Sequence, residues 1–200
     1  MHNVKMVHGI RTRDGGKKTF GILQKMLQIL LENSKVSLVN YGYILIPITN
    51  DRAKRAIIKS LEDASNSHPI TIVSYSNGCW ATVLAMEDGQ HADHLVLINP
   101  ALRKDYVFPE HIKRVDVYYS PNDFATRLSK MYSTFVNLFP WRESSPHGWG
   151  EMGRVGYVGD DVRVHNHNMG RVSHFFYNHW DVAKEIARDI DKLYEGNNYD

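Results

Sequence analysis

Residues 70–81 decide the fold of this chain, and their sequence is ITIVSYSNGCWA. Four β-branched residues lead into small and polar ones, and an apolar stretch follows over Cys79–Met86, which predicts a strand, a tight turn and a helix. Such a turn strains one residue, Ser76, and requires small residues two positions before and after it, here Ser74 and Gly78. The turn also lifts the serine hydroxyl clear of the sheet, next to the free N–H groups of the helix start.

The pattern Ser-x-Ser-x-Gly at residues 74–78 resembles the Gly-x-Ser-x-Gly nucleophile elbow of the α/β-hydrolase superfamily. It departs from that motif at the first position, where Ser74 stands in place of glycine. The resemblance implies that Ser76 is a catalytic nucleophile. The alternative interpretation is an ordinary strand-to-helix turn that carries a solvated serine, because short motifs also arise by chance.

The composition bounds the class of protein. The 200 residues are 42% hydrophobic and 11% aromatic, which suits one globular domain over residues 1–200. A net charge of only +2 does not indicate a nucleic-acid surface. The chain has a single cysteine, Cys79, no signal-peptide pattern and no apolar run long enough to cross a bilayer, so we expect a soluble cytoplasmic protein.

The alternation of short apolar runs with helical patterns indicates the fold class. Unbroken apolar strands of this kind are typical of a parallel sheet with both faces covered. We therefore expect a three-layer α/β/α sandwich with a mostly parallel sheet of about six strands, which is also what the α/β-hydrolase resemblance implies. The predicted strands include residues 4–8, 36–48, 70–75, 94–98 and 115–119, and a hairpin is expected from residues 155–158 and 162–165.

The loop after the first strand admits two interpretations. Its Gly16-Lys17 pair suggests a phosphate-binding loop, but Lys18 stands where that motif needs a hydroxyl residue and the first glycine is missing. The alternative is His8-Gly9-Ile10, which resembles the His-Gly turn of α/β-hydrolases. That resemblance implies an oxyanion hole formed by the backbone N–H of Ile10, or of Arg11, and that of Asn77.

A serine nucleophile needs a base and an acid that orients the base. The resemblance implies the chain order serine, acid, histidine, which suggests Asp123 after the fifth strand and His174 shortly before the last helix. Asp123 lies in Ser-Pro-Asn-Asp, which is also a good turn sequence, and His174 lies among aromatic residues where a partly buried histidine would be ordinary. His179 is the reserve candidate for the base.

Residues 140–165 contain prolines, glycines and two tryptophans, which predicts a lid or pocket wall, or else a surface loop pinned by its aromatics. Substrate contacts are expected from Arg11, Tyr75 and Trp149. His165 and His167 also suggest a metal site with His174, but no carboxylate or cysteine completes a ligand set, so we expect no metal and no cofactor.

These features together predict a serine hydrolase that cleaves a carboxylic ester or thioester through Ser76, His174 and Asp123. Its partner would be a small-molecule acyl substrate, with no nucleic acid and no membrane span. Two alternatives stay open. One is an inactive binding or regulatory protein that keeps the hydrolase fold, and the other is a nucleotide-binding enzyme that uses the Gly15-Gly16-Lys17 loop.

Overall fold

The computed structural model describes most of the chain. The described residues are 2–9, 12, 14–31, 34–43, 50–64, 69–125, 150–174 and 179–195.

A single sheet forms the centre of the molecule, and every neighbouring pair of its strands runs parallel. The strand order is β2-β1-β3-β4-β5-β6. This confirms the predicted parallel sheet of about six strands. The strands are β1 (His2–Val7), β2 (Ser34–Val39), β3 (Ile70–Tyr75), β4 (His94–Ile98), β5 (Arg114–Tyr119) and β6 (Val164–Asn168).

Helices cover both faces of the sheet, as the apolar runs of the strands require. They are α1 (Lys17–Leu30), α2 (Asn50–Glu62), α3 (Asn77–Glu87), the single turn α4 (Met152–Val155) and α5 (Trp180–Glu195). Residues of α2 and α3 share one buried cluster with Ile72 and Leu97, whereas residues of α1 and α5 share another with Val73 and Val96. The two clusters lie on opposite faces because successive strand residues alternate. The predicted three-layer sandwich is thereby confirmed.

The parallel register brings the carboxyl ends of three strands together. Tyr75 of β3 is paired with Ile98 of β4, and Ile98 is paired with Tyr118 of β5. The segments that follow these strands therefore emerge side by side at one edge of the sheet. In open α/β sheets this edge is where ligands bind.

The predicted hairpin within residues 155–165 is wrong. Val155 ends α4, and β6 pairs parallel with β5 instead of antiparallel with a neighbouring segment. The guanidinium of Arg163 explains the difference, because it donates to backbone carbonyls over residues 108–112, including that of Ile112 at 2.7 Å. Those bonds fix the loop before β6 against the segment before β5, so β6 enters the sheet in the same direction as β5.

The predicted lid segment is only partly described. Residues 126–149 lie outside the described residues. The part from residue 150 onward packs into the fold: Met152 is fully buried, its N–H donates to the carbonyl of Leu102 at 3.0 Å, and that of Gly153 donates to Pro100 at 2.9 Å. None of the helices described in the structure is long and apolar enough to cross a membrane.

Candidate active site

Ser76 occupies a strained turn between β3 and α3. Its φ is 53° and its ψ is −123°, a conformation that non-glycine residues seldom adopt and that is found preferentially at functional sites. The neighbouring backbone holds it there. The N–H of Ser76 donates to the carbonyl of Ile98 at 2.9 Å, and its own carbonyl accepts from the N–H groups of Cys79 at 3.1 Å and Ala101 at 3.3 Å.

Two glycines allow the backbone segments around Ser76 to touch. A Cβ on Gly78 would meet the carbonyl oxygen of His8 and would lie 2.7 Å from that of Val7. A Cβ on Gly9 would lie 3.2 Å from the Cβ of Ser76. The end of β1 is thus packed against the start of α3, and Gly9 lies beside the serine.

The structure shows how the elbow accommodates Ser74 in place of glycine. The Oγ of Ser74 lies 2.7 Å from the Oγ1 of Thr82, which in turn donates to the carbonyl of Gly78 at 2.9 Å. Because that one proton of Thr82 is used on Gly78, Ser74 is the donor to Thr82. Thr82 is not among the site residues predicted from the sequence. Its only signal is a hydroxyl residue four positions after a helical glycine, where a back-bond to the main chain is common.

A histidine and a carboxylate meet at this edge of the sheet. The Nδ1 of His174 lies 2.8 Å from the Oδ1 of Asp123, and the two side chains are 12% and 0% exposed. Asp123 follows β5 in a tight turn in which its N–H donates to the carbonyl of Ser120 at 2.9 Å. The ring of His174 lies 5.0 Å, centre to centre, from that of Tyr75, the residue before Ser76. The predicted acid, the predicted base and the elbow therefore converge.

Ser120 ties the segment before His174 to the end of β5. Its Oγ lies 2.9 Å from the carbonyl of Gly170 and 2.7 Å from that of Val172. A hydroxyl has one proton, so the two carbonyls share it. This contact, which no sequence pattern predicts, places the chain before His174 beside the turn that carries Asp123.

The segment after β1 rests on a buried aromatic pair. The hydroxyl of Tyr41 donates to the carbonyl of His8 and lies 3.3 Å from that of Gly9, and the rings of Tyr41 and His8 stack at 4.0 Å. The Nδ1 of His8 lies 2.9 Å from the carbonyl of Gly9. Burial lowers the pKa of His8, although the bond to Gly9 and the charge of Asp14 oppose the shift. The lowered pKa favours the neutral imidazole, which packs between Tyr41 and the backbone of Gly9.

The loop before α1 is poorly suited to a phosphate. The carboxylate of Asp14 accepts from the N–H of Lys18 at 2.8 Å, so a negative side chain already occupies the start of α1. A helix start binds phosphate through those N–H groups, and a second anion there would be repelled. This contact disfavours the nucleotide-binding alternative.

The other predicted site residues fall into two groups. Asn77 begins α3 and is buried, and Tyr75 is buried between the rings of His174 and Phe20. Ile10, Arg11 and Trp149 lie outside the described residues, so their roles stay predictions.

Two of the three histidines that suggested a metal site, His167 and His174, contact carboxylates. The Nε2 of His167 lies 2.6 Å from the Oδ1 of Asp116, and His174 contacts Asp123. Within the described ranges, no group of three or more His, Cys, Asp and Glu side chains could hold a metal ion.

Comparison with solved structures defines the fold. Est1E from Butyrivibrio proteoclasticus superposes with a TM-score of 0.61 at 11% identity, covering 98% of this chain and 88% of that one. A monoacylglycerol lipase from Paleococcus ferrophilus gives 0.61 at 11% identity, with 96% and 93% covered. An α/β serine hydrolase without lid from Xanthomonas campestris gives 0.59 at 12% identity, with 96% and 82% covered.

The chain has the α/β-hydrolase fold. No protein-family model matches it, and no curated protein matches its sequence. In an α/β-hydrolase the nucleophile, the acid and the histidine follow in that order along the chain. Ser76, Asp123 and His174 have this order, and they come from the segment after β3, the segment after β5 and the segment before α5.

Proposed function

We propose that this protein is a serine hydrolase that cleaves a carboxylic ester or thioester of a small molecule. The observation that carries the proposal is the 2.8 Å contact between His174 and Asp123 at the edge of the sheet where Ser76 occupies its strained turn. A fold by itself does not establish an activity, so the proposal depends on these side chains.

His174 would act as the base. Its Nδ1 faces Asp123, which leaves Nε2 as the nitrogen that can take the proton from the Ser76 hydroxyl. The buried carboxylate of Asp123 fixes the ring tautomer and stabilises the imidazolium that forms. As the proton moves to Nε2, the serine oxygen attacks the substrate carbonyl, and the carbonyl electrons move onto its oxygen.

Backbone N–H groups would stabilise the oxyanion that results. The N–H of Asn77, at the start of α3, is one donor, and that of Ile10 after Gly9 is the proposed second donor. The tetrahedral intermediate then collapses, and the alcohol or thiol leaves with the proton from Nε2. Water attacks the acyl-enzyme with His174 again as base, which releases the acid and restores the serine.

The resemblances support an ester substrate. One similar structure is a monoacylglycerol lipase, and another is Est1E with ferulic acid bound. We propose a small acyl substrate for this chain on that ground, with Tyr75, Arg11 and Trp149 as the proposed contacts.

A panel of nitrophenyl esters and acyl thioesters of increasing chain length tests the activity. We expect turnover by the wild-type protein and loss of it in Ser76→Ala. Ser34→Ala is the matched control, because Ser34 begins β2 at the opposite edge of the sheet. If the folded wild-type protein turns over none of these substrates, a binding or regulatory role on the hydrolase fold becomes the better hypothesis.

A further inference from the structure

Asn99 lies against the oxygen of Asp123 that does not face His174. Its Nδ2 donates to the Oδ2 of Asp123 at 2.6 Å, while the Oδ1 of Asp123 faces His174. Asn99 directly follows β4 and is fully buried. The two carboxylate oxygens of Asp123 therefore contact two different side chains.

The backbone at Asn99 suits asparagine and glycine in particular. Its φ is 46°, a left-handed conformation in which asparagine is several-fold enriched over other residues with a side chain. Its N–H donates to the carbonyl of Tyr118 at 2.8 Å, which anchors the residue between β4 and β5. A backbone hydrogen bond thus fixes the position from which the side-chain amide reaches Asp123.

The two groups in this contact have fixed roles as donor and acceptor. An amide N–H only donates, and a carboxylate oxygen accepts, so Asn99 is the donor and Asp123 the acceptor of this bond. Turning the amide over would place its oxygen against the carboxylate and would cost that bond. The rotation of the carboxylate about its last bond is restricted as long as Asn99 holds Oδ2.

We propose that Asn99 is a positioning residue, which orients the carboxylate of Asp123 so that Oδ1 holds the Nδ1–H of His174. This inference rests on the proposed function. Asn99 does not contact the substrate; it acts on the reaction only through Asp123. Nothing in the sequence pattern Ile98-Asn99-Pro100 distinguishes such a role from that of an ordinary turn residue.

Asn99→Gly is the variant that isolates the side chain, because glycine accepts a positive φ and keeps the backbone N–H. We expect kcat on an activated ester to fall by about tenfold to a hundredfold, the usual effect of losing a hydrogen bond to a charged group. KM should stay within about twofold. Asn166→Ala is the control. The side-chain amide of Asn166 bonds to the backbone of Tyr157, so we expect this variant to leave kcat and KM unchanged.

A double variant separates positioning from general support of the fold. In an Asp123→Asn background, Asn99→Gly should cause no further loss of kcat, because the group through which it acts is already altered. An equal loss of kcat in both backgrounds would overturn the proposal. If Ser76 is shown to react in the wild-type protein, an unchanged kcat in Asn99→Gly would overturn it as well.

A measurement without turnover keeps this inference separate from the proposed function. The Nδ1–H proton of His174, identified by its absence in His174→Ala, should give a downfield NMR signal that shifts or broadens in Asn99→Gly. A change in that signal in a protein that hydrolyses nothing would support the role of Asn99 and contradict only the proposed function. An unchanged signal in folded Asn99→Gly would overturn the role of Asn99.

Discussion

His174 and Asp123 meet through Nδ1 and Oδ1 at 2.8 Å, although they lie on segments that follow different strands. The contact exists because β5 and β6 are neighbours in the sheet and Ser120 holds the carbonyls of Gly170 and Val172. The order of the strands and the contacts of Ser120 thus bring Asp123 and His174 together beside the turn that carries Ser76.

Replacing the acid tests this pair. Asp123→Asn keeps the size of the side chain but replaces one carboxylate oxygen with an NH2 group. When that NH2 group faces His174, it favours the tautomer in which Nδ1 carries no proton. We expect kcat/KM to fall on the order of 10⁴-fold, with an unchanged fold by circular dichroism. Asp105→Asn is the control, because Asp105 is exposed and pairs with Arg103. A loss of less than tenfold in Asp123→Asn would place the acid elsewhere.

The close contact at Gly78 predicts a loss of stability. Gly78→Ala would place its Cβ against the carbonyls of Val7 and His8, which are backbone atoms that cannot move aside cheaply. We expect the free energy of unfolding to fall by about 1–3 kcal/mol, measured by urea denaturation. Gly21→Ala in α1 is the matched control, since nothing lies within 4 Å of its Cβ and the helix should gain about 0.5–1 kcal/mol. Equal effects in the two variants would refute the contact.

The pair of Ser74 and Thr82 predicts a coupling between two substitutions. Thr82→Val leaves the buried Ser74 hydroxyl without its acceptor and should cost about 1–3 kcal/mol of stability. Ser74→Ala removes that orphaned hydroxyl, so it should be less harmful in the Thr82→Val background than alone. A double-mutant cycle by chemical denaturation measures this, and simple additivity would contradict the proposed donor role of Ser74.

A buried network on β5 predicts how stability depends on pH. Burial alone would raise the pKa of Asp116, but bonds from His167, His94 and Arg114 outweigh it and hold the pKa below its usual range. A carboxyl group whose pKa is lower in the folded than in the unfolded protein stabilises the fold at a pH above its unfolded-state pKa. That stability is lost as the pH falls from the unfolded-state pKa toward the folded-state pKa. We therefore expect unfolding to become easier below about pH 4.

Asp116→Asn should remove most of that acid dependence. The variant is expected to be less stable at pH 7 by about 3 kcal/mol, because its amide is uncharged and offers one accepting oxygen where two histidines and an arginine contact two. Thermal melts from pH 7 to pH 3 check both statements, and Asp160→Asn, at an exposed position, serves as the control. If Asp116→Asn lost stability with acid as steeply as the wild type, the network would not be the cause.

Local patterns in the sequence were sufficient to predict β1, β3, β4 and β5, the turn at Ser76 and the α/β/α layers, because each depends on neighbouring residues. The predicted strand 36–48 extends beyond β2, which ends at Val39. The residue types and chain order of Ser76, Asp123 and His174 also led to a site whose members converge in the structure. Thr82, Ser120 and Asn99 could not be found in this way. Each acts through a contact with a residue from another segment. The sequence around a single threonine, serine or asparagine does not predict such a contact.

The hairpin expected within residues 155–165 failed for a related reason. Alternating apolar residues and a Gly-Asp-Asp turn favour a hairpin locally, but the bonds of Arg163 to carbonyls before β5 outweigh that preference. A contact between distant segments decided the direction of β6.

Covalent labelling shows whether Ser76 is the nucleophile. The protein is treated with a fluorophosphonate, digested, and the modified peptide is located by tandem mass spectrometry. We expect one phosphonylated residue, Ser76, with labelling abolished in Ser76→Ala and slowed by several orders of magnitude in His174→Ala. Labelling that persists in Ser76→Ala, or that proceeds at the wild-type rate in His174→Ala, would contradict the proposed function.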